Sequence, residues 1–169
     1  MKKIMEMLQN MKAKNEKKDN KGFSLVELII VIAIMAILVG IVGTQVLPYI
    51  NKSKEAKDFQ IINSYCTAAT TAYSSNAENI STTASFNVDV YATGLTDNTT
   101  DKKPLKTLQE EIQTLTGYKQ LSDLTNKMGS AKGKDIDKIE VTYDVPAKEI
   151  SVQAYKGTTK IFDKVTTQL

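Results

Sequence analysis

The hydrophobic pattern changes several times along the chain. Residues 1–22 are polar and lysine-rich with no sustained period. Phe23 then opens an apolar run that continues to Leu47 and contains one acid, Glu27. Beyond Pro48 the apolar positions thin to a single helical stripe. Phe59, Ile62, Cys66, Ala69 and Tyr73 recur there at spacings of three and four. Lys52, Lys54, Glu55, Lys57 and Asp58 form a polar shoulder beside the stripe. The pattern predicts one helix from about Phe23 to about Ser75, apolar all round in its first half and amphipathic in its second. Gly40, Gly43 and Pro48 are its weak points, since glycine costs about 1 kcal/mol and proline about 3 kcal/mol in a helix interior.

The rest of the chain, 76–169, reads as a globular head. Ser74–Ser85 is a polar loop, and Phe86, Val88 and Val90 alternate as a short strand. Pro104 suits the first turn of a helix that places Leu105, Leu108, Ile112 and Leu115 on one face and stops at Gly117. Leu121, Leu124 and Met128 continue in another short helix. From Asp135 the period becomes two: Ile139, Val141, Tyr143 and Val145 alternate with polar residues, and so do Ile150, Val152 and Ala154. Pro146–Lys148 and Lys156–Thr158 are turns, and Thr159–Thr167 forms the third strand. The expected fold is α+β, a long N-terminal helix laid on a small antiparallel sheet at about 136–167.

Free-energy scales decide what the apolar run does. Phe23–Gly43 holds fourteen Leu, Ile, Val or Phe residues. At roughly −0.3 to −0.6 kcal/mol each they favour membrane insertion by about 4 to 8 kcal/mol, against no more than about 3 kcal/mol opposing it from Glu27. Insertion wins, and the run is long enough to span. The segment 1–22 carries seven Lys against three acids, which leaves the rest of the chain about −1 within a net charge of +3. The lysine-rich segment is therefore expected on the cytoplasmic side and everything after Leu47 outside.

The order of these segments reverses that of a secretory signal, whose short apolar region precedes its cleavage site. Gly22-Phe23-Ser24-Leu25-Val26-Glu27-Leu28-Ile29-Ile30-Val31-Ile32-Ala33-Ile34 closely resembles the N-terminal signature of type IV pilins, shared with pseudopilins and competence pilins. The strong match covers about Lys21 to Pro48; the rest matches in architecture only, as the pilin αβ-roll. The resemblance implies a leader, residues 1–22, that a prepilin peptidase and methyltransferase removes between Gly22 and Phe23 before methylating the Phe23 amine. Residues 23–48 would then be the transmembrane and assembly helix, and 49–75 its amphipathic half. It also implies an assembly machinery in the inner membrane, lipid around the helix before assembly, and copies of the chain itself as the principal partners.

Glu27 has two readings. A carboxylate at a helix end can snorkel to the interface or stay protonated there. The other reading is an assembly register: in a fibre the carboxylate would meet the charged Phe23 amine of a neighbouring subunit, because neither charge is stable alone in an apolar core. The complete junction favours the second. Two features depart from the commonest pattern: the leader is long, with Met5, Met7 and Met11 as alternative starts, and Thr44 stands where the family usually has a proline, with Pro48 one turn later. Between Gly40 and Pro48 the resemblance leaves a mild kink and an unwinding segment both open.

Composition removes other function classes. His and Arg are absent, so the usual general base, the commonest metal ligand and a guanidinium fork are missing. The single Cys66 allows no internal disulfide and sits in the helical stripe, where it reads as a small buried hydrophobe. No phosphate loop or catalytic set is visible, and the aromatics are too scattered for a nucleic-acid surface. Asp135 and Asp137 are a minor calcium option; the expectation is no metal, no cofactor, no nucleic acid and no enzymatic activity. The reading is a structural subunit of an extracellular type IV pilus, serving adhesion, aggregation, biofilm or twitching motility. The alternatives are a pseudopilin or competence pilin, and a membrane-tethered binding module that never polymerises.

Overall fold

A computed structural model describes residues 5–6, 24–80, 83–97 and 103–169. Helix runs without interruption over Leu25–Ser75. It comprises α1 (Leu25–Ile41), a π-helical turn over Val42–Val46, and α2 (Leu47–Ser75). The π turn lies between the glycines and the proline that the sequence marks as weak. Pro48 has no N–H to donate to the carbonyl four residues back, and the widened turn just before it shifts the hydrogen-bond register. Thr44 Oγ1 donates to the Gly40 carbonyl at 3.0 Å, supplying a partner inside the same stretch. The helix therefore changes pitch here and does not break.

The chain divides into two compact units, residues 1–47 and 48–169. In the first, no residue of α1 or of the π turn is buried. The second has its own core, built from α2 and a five-stranded antiparallel sheet. α2 buries Ile62, Tyr65, Cys66, Ala68, Ala69 and Ala72. Phe59 and Tyr73 flank this face half-buried, so the covered stripe is wider than the spacing alone suggests. Alanines at 68, 69 and 72 bring the backbone close to the sheet, and Tyr143 Oη donates to the Ala69 carbonyl at 3.3 Å.

The sheet consists of β1 (Phe86–Asp89), β2 (Lys138–Asp144), β3 (Glu149–Lys156), β4 (Thr159–Lys160) and β5 (Val165–Gln168). Ile139, Val141 and Tyr143 of β2, with Ile150, Val152 and Ala154 of β3, point into the core as their alternation predicts. Two expectations need correction. The sheet is not a three-stranded meander, because β1 pairs antiparallel with β2, placing Phe86 opposite Tyr143 and Val88 opposite Val141. The stretch 159–167 is not one strand either. β4 and β5 pair with different ends of β3, and residues 161–164 leave the ladder between them. Gln153 explains the departure. Its side chain is buried although its neighbours in sequence face the core, and its amide donates to the Phe162 carbonyl at 2.7 Å, so the chain bows out over it.

Three short helices complete the head: α3 (Leu105–Thr116), α4 (Leu121–Lys127) and α5 (Ala131–Lys134). α3 stops at Gly117, whose φ of 78° is left-handed and whose N–H reaches the Gln113 carbonyl. Leu108 and Ile112 are buried, but Leu115 of the predicted stripe is exposed. The buried polar position is Gln109, whose amide donates to the carbonyls of Asp89, Val90 and Ala92 and so ties α3 to the end of β1. Asp97 accepts from Lys106 N, Thr107 N and Thr107 Oγ1 at the start of α3. Desolvation is the largest single influence and opposes ionisation there, yet the bonds from Thr107 and Lys106 together hold its carboxyl below the usual range.

Asp58 corrects the sequence reading most sharply, because it is not part of a solvated shoulder. It is 1% exposed, and its carboxylate accepts from Gly129 N and Ser130 N at 2.8 Å each and from Ser130 Oγ at 2.5 Å. Ser130 Oγ in turn caps α5 by accepting from Gly133 N at 2.9 Å. A Cβ on Gly133 would collide with Asp58 Oδ2 and come within 2.8 Å of Met128 Cβ, so the glycine is required by the carboxylate beside it. Among the described residues no cation pairs with Asp58; aligned amide and hydroxyl donors hold its carboxylate instead. Asp58→Ala leaves these donors without an acceptor and should destabilise the head by about 2–4 kcal/mol in denaturant unfolding. Asp58→Asn should cost a comparable amount, because either orientation of its amide points the NH2 at the backbone N–H of Gly129 or Ser130.

Candidate functional site

The functional candidate is the N-terminal face of the long helix. Gly22 and Phe23, the proposed cut site, lie outside the described residues, which resume at Ser24. Ser24 is the N-cap of α1, in extended conformation. Its Oγ accepts from Val26 N at 3.3 Å, and its own N–H donates to Glu27 Oε2 at 2.9 Å. This is a capping box: the two side chains satisfy donors that the first helical turn would otherwise leave without partners. The same geometry turns the Glu27 side chain back toward the N-terminus. There the carboxylate also meets the positive end of the helix dipole.

Sequence reasoning read Glu27 through its charge and missed this bond. The signal was present, since Ser24-x-x-Glu27 immediately before an apolar run is a capping-box pattern. The bond does not exhaust the carboxylate. One oxygen serves the Ser24 amide, while Oε1 has no hydrogen-bond partner among the described residues. Glu27 is the only acid in α1, and the helix has no basic residue in its last turn.

Around this acid the helix is apolar and uncovered. Leu25, Ile37 and Val39 are each more than 60% exposed, and no large side chain of α1 is buried by another part of the chain. The helix is long and apolar enough to cross a membrane. Gly40 and Gly43 have open space where a Cβ would lie, so nothing among the described residues requires glycine at either position. Together with Ala33 and Ala36 they form a line of small residues spaced three, four and three apart. Pro48 follows within the first turn of α2.

Among the described residues, no three or more His, Cys, Asp or Glu side chains are grouped to hold a metal. Asp135 is paired with Lys156 at 2.5 Å, and Asp137 accepts from Gly157 N at 2.5 Å, so both acids of the calcium option serve the turn between β3 and β4. Cys66 is buried, and burial pushes its thiol up, away from the reactive thiolate. Five tyrosines pack in or against the core, whereas Tyr49 is exposed: Tyr65 Oη meets Tyr91 Oη at 2.5 Å, the Tyr65 ring stacks on Tyr118, and Tyr73 and Phe86 stack on Tyr143.

Comparison with known proteins agrees with the location of this face. Residues 17–43 match the prokaryotic N-terminal methylation motif. The matched stretch includes Gly22, Phe23, Glu27, Gly40 and Gly43, and it supports a type IV pilin-like prepilin with a processed, membrane-anchored N-terminus. No curated protein and no solved structure matches the chain. Loss of the cap should be visible before any processing or assembly. In the uncut chain in detergent micelles, Glu27→Ala should accelerate hydrogen exchange at the Ser24 amide while leaving the amides of Ile139 and Val152 unchanged.

Proposed function

We propose that this chain is the precursor of a type IV pilin that polymerises into an extracellular fibre. The observation that carries the reading is an unsatisfied surface: α1 buries none of its apolar side chains, whereas the unit 48–169 already has a complete core of its own. Such a helix needs lipid before assembly and other copies of itself afterwards. Stacked helices can replace lipid as apolar surroundings. In this reading a prepilin peptidase cuts between Gly22 and Phe23, and the new Phe23 amine is methylated. The polar segment leaves, and the greasy helix stays on the mature chain.

Glu27 then sets the stagger. The capping box directs its carboxylate toward the N-terminus, and Oε1 is the acceptor that would meet the Phe23 ammonium of a neighbouring subunit. Two opposite charges in an apolar core are tolerated together and not singly. The open lines over Gly40 and Gly43 allow neighbouring helices to approach closely. The π turn at Val42–Val46 is the segment we expect to unwind in the fibre, because its hydrogen bonds already depart from the α register. The head residues 76–169 form the fibre surface. Attachment, aggregation, biofilm formation and twitching are the functions that such a fibre serves.

Mass spectrometry of sheared surface fibres tests the proposal. It should return a mature chain beginning at N-methylated Phe23 as the dominant component; fibres lacking the chain, or containing it with Met1 attached, would sink it. Gly22→Trp should leave uncut precursor on a blot, because the peptidase needs a small, pliable residue at its entry, and normal processing would refute the cut site. Glu27→Ala should be processed normally and yield few fibres; abundant ordinary fibres from that variant would refute the pairing.

A further inference from the structure

A cleft of about 570 Å³ opens in the unit 48–169 between residues 55–59 of α2 and the segment joining β4 to β5. Its size is that of a small-ligand site. Phe59 and Phe162 form an aromatic floor, with ring centroids 6.4 Å apart and planes at 29°. The wall that carries Phe162 is fixed from below. Buried Gln153 donates to the Phe162 carbonyl at 2.7 Å, and Ile161 N donates to the Ala154 carbonyl at 3.2 Å. Lys132, Lys160, Lys164 and Asp163 stand around the floor.

The charges around the cleft are not all used. Lys132 pairs with Glu55 at 2.9 Å and Lys164 with Glu149 at 3.4 Å. Among the described residues, Lys160 and Asp163 have no ion-pair partner. A purely apolar ligand would cover this cation and anion and strip their water without replacing it. Single-stranded nucleic acid fits poorly as well. The two rings already stack on each other and leave no slot for a base between them. A sugar ring meets each requirement. Its C–H face covers an aromatic ring, its hydroxyls donate to Asp163, and an attached carboxylate accepts from Lys160.

We propose that this cleft binds a saccharide bearing a carboxylate, such as a uronic acid, through Phe162, Lys160 and Asp163. The site stands whether or not the chain polymerises, since every residue in it belongs to the unit 48–169. The full chain in detergent micelles, titrated calorimetrically with tetragalacturonate, maltotetraose and a short oligothymidylate, tests it. Tetragalacturonate should bind saturably, with maltotetraose about tenfold weaker or worse for want of the charge. Lys160→Gln should weaken tetragalacturonate about tenfold, and Phe162→Ala at least as much, while Lys52→Gln, outside the cleft, should leave it unchanged. Absence of saturable binding, equal affinity for maltotetraose, tighter binding of oligothymidylate, or undiminished binding by Lys160→Gln would each overturn the proposal. Lys160 is exposed, so its substitution leaves the fold intact and decides the matter even if Phe162→Ala unfolds.

Discussion

Small side chains at 68, 69 and 72 bring α2 near enough to the sheet for Tyr143 to reach the Ala69 carbonyl. Around that approach, Ile62, Tyr65 and Cys66 meet the inward residues of β2 and β3, and the remaining helices are placed by what they can reach. Gln109 ties α3 to the end of β1, and Asp58 ties α5 to α2. Both ties are polar and buried. They contribute less net stabilisation than the apolar contacts, but they specify position, because a misplaced loop would leave buried donors without acceptors.

The same long helix is held by different physics along its length. In α2 the apolar residues fall on one face, and the sheet covers that face. In α1 they fall on every face, and no single sheet could cover them all. A helix of that kind is stable where its whole surroundings are apolar, which means lipid or a bundle of like helices. The one acid among these side chains is held at the helix start. There a backbone N–H and the helix dipole lower the cost of its charge.

Position along the chain also explains why the motif and the head behave so differently in comparison with other proteins. The methylation motif match ends at residue 43, where the helix stops being uniformly apolar and the π turn has begun. In the proposed function, a peptidase and an assembling fibre would both read local chemistry: glycine, a new amine, an acid and an apolar surface. The head has to fold and present a surface, and many sequences satisfy that requirement. The same division bears on the cleft, whose character comes from Phe59, Gln153, Lys160 and Phe162 drawn from α2, β3, β4 and the bowed segment 161–164.

The sequence by itself determined what depends on neighbours along the chain. The extent of the helix to Ser75, the stop at Gly117, and the inward set of β2 and β3 all follow from period and local chemistry. The capping box was legible too, in the spacing of Ser24 and Glu27. Only the tertiary structure decided Asp58, Gln109, Gln153 and the split between β4 and β5. An aspartate beside four other charged residues looks solvated until the loop 129–133, seventy residues away, closes over it. A buried polar side chain takes its meaning from the partners that folding brings to it, and those partners lie in distant segments that periodicity does not connect.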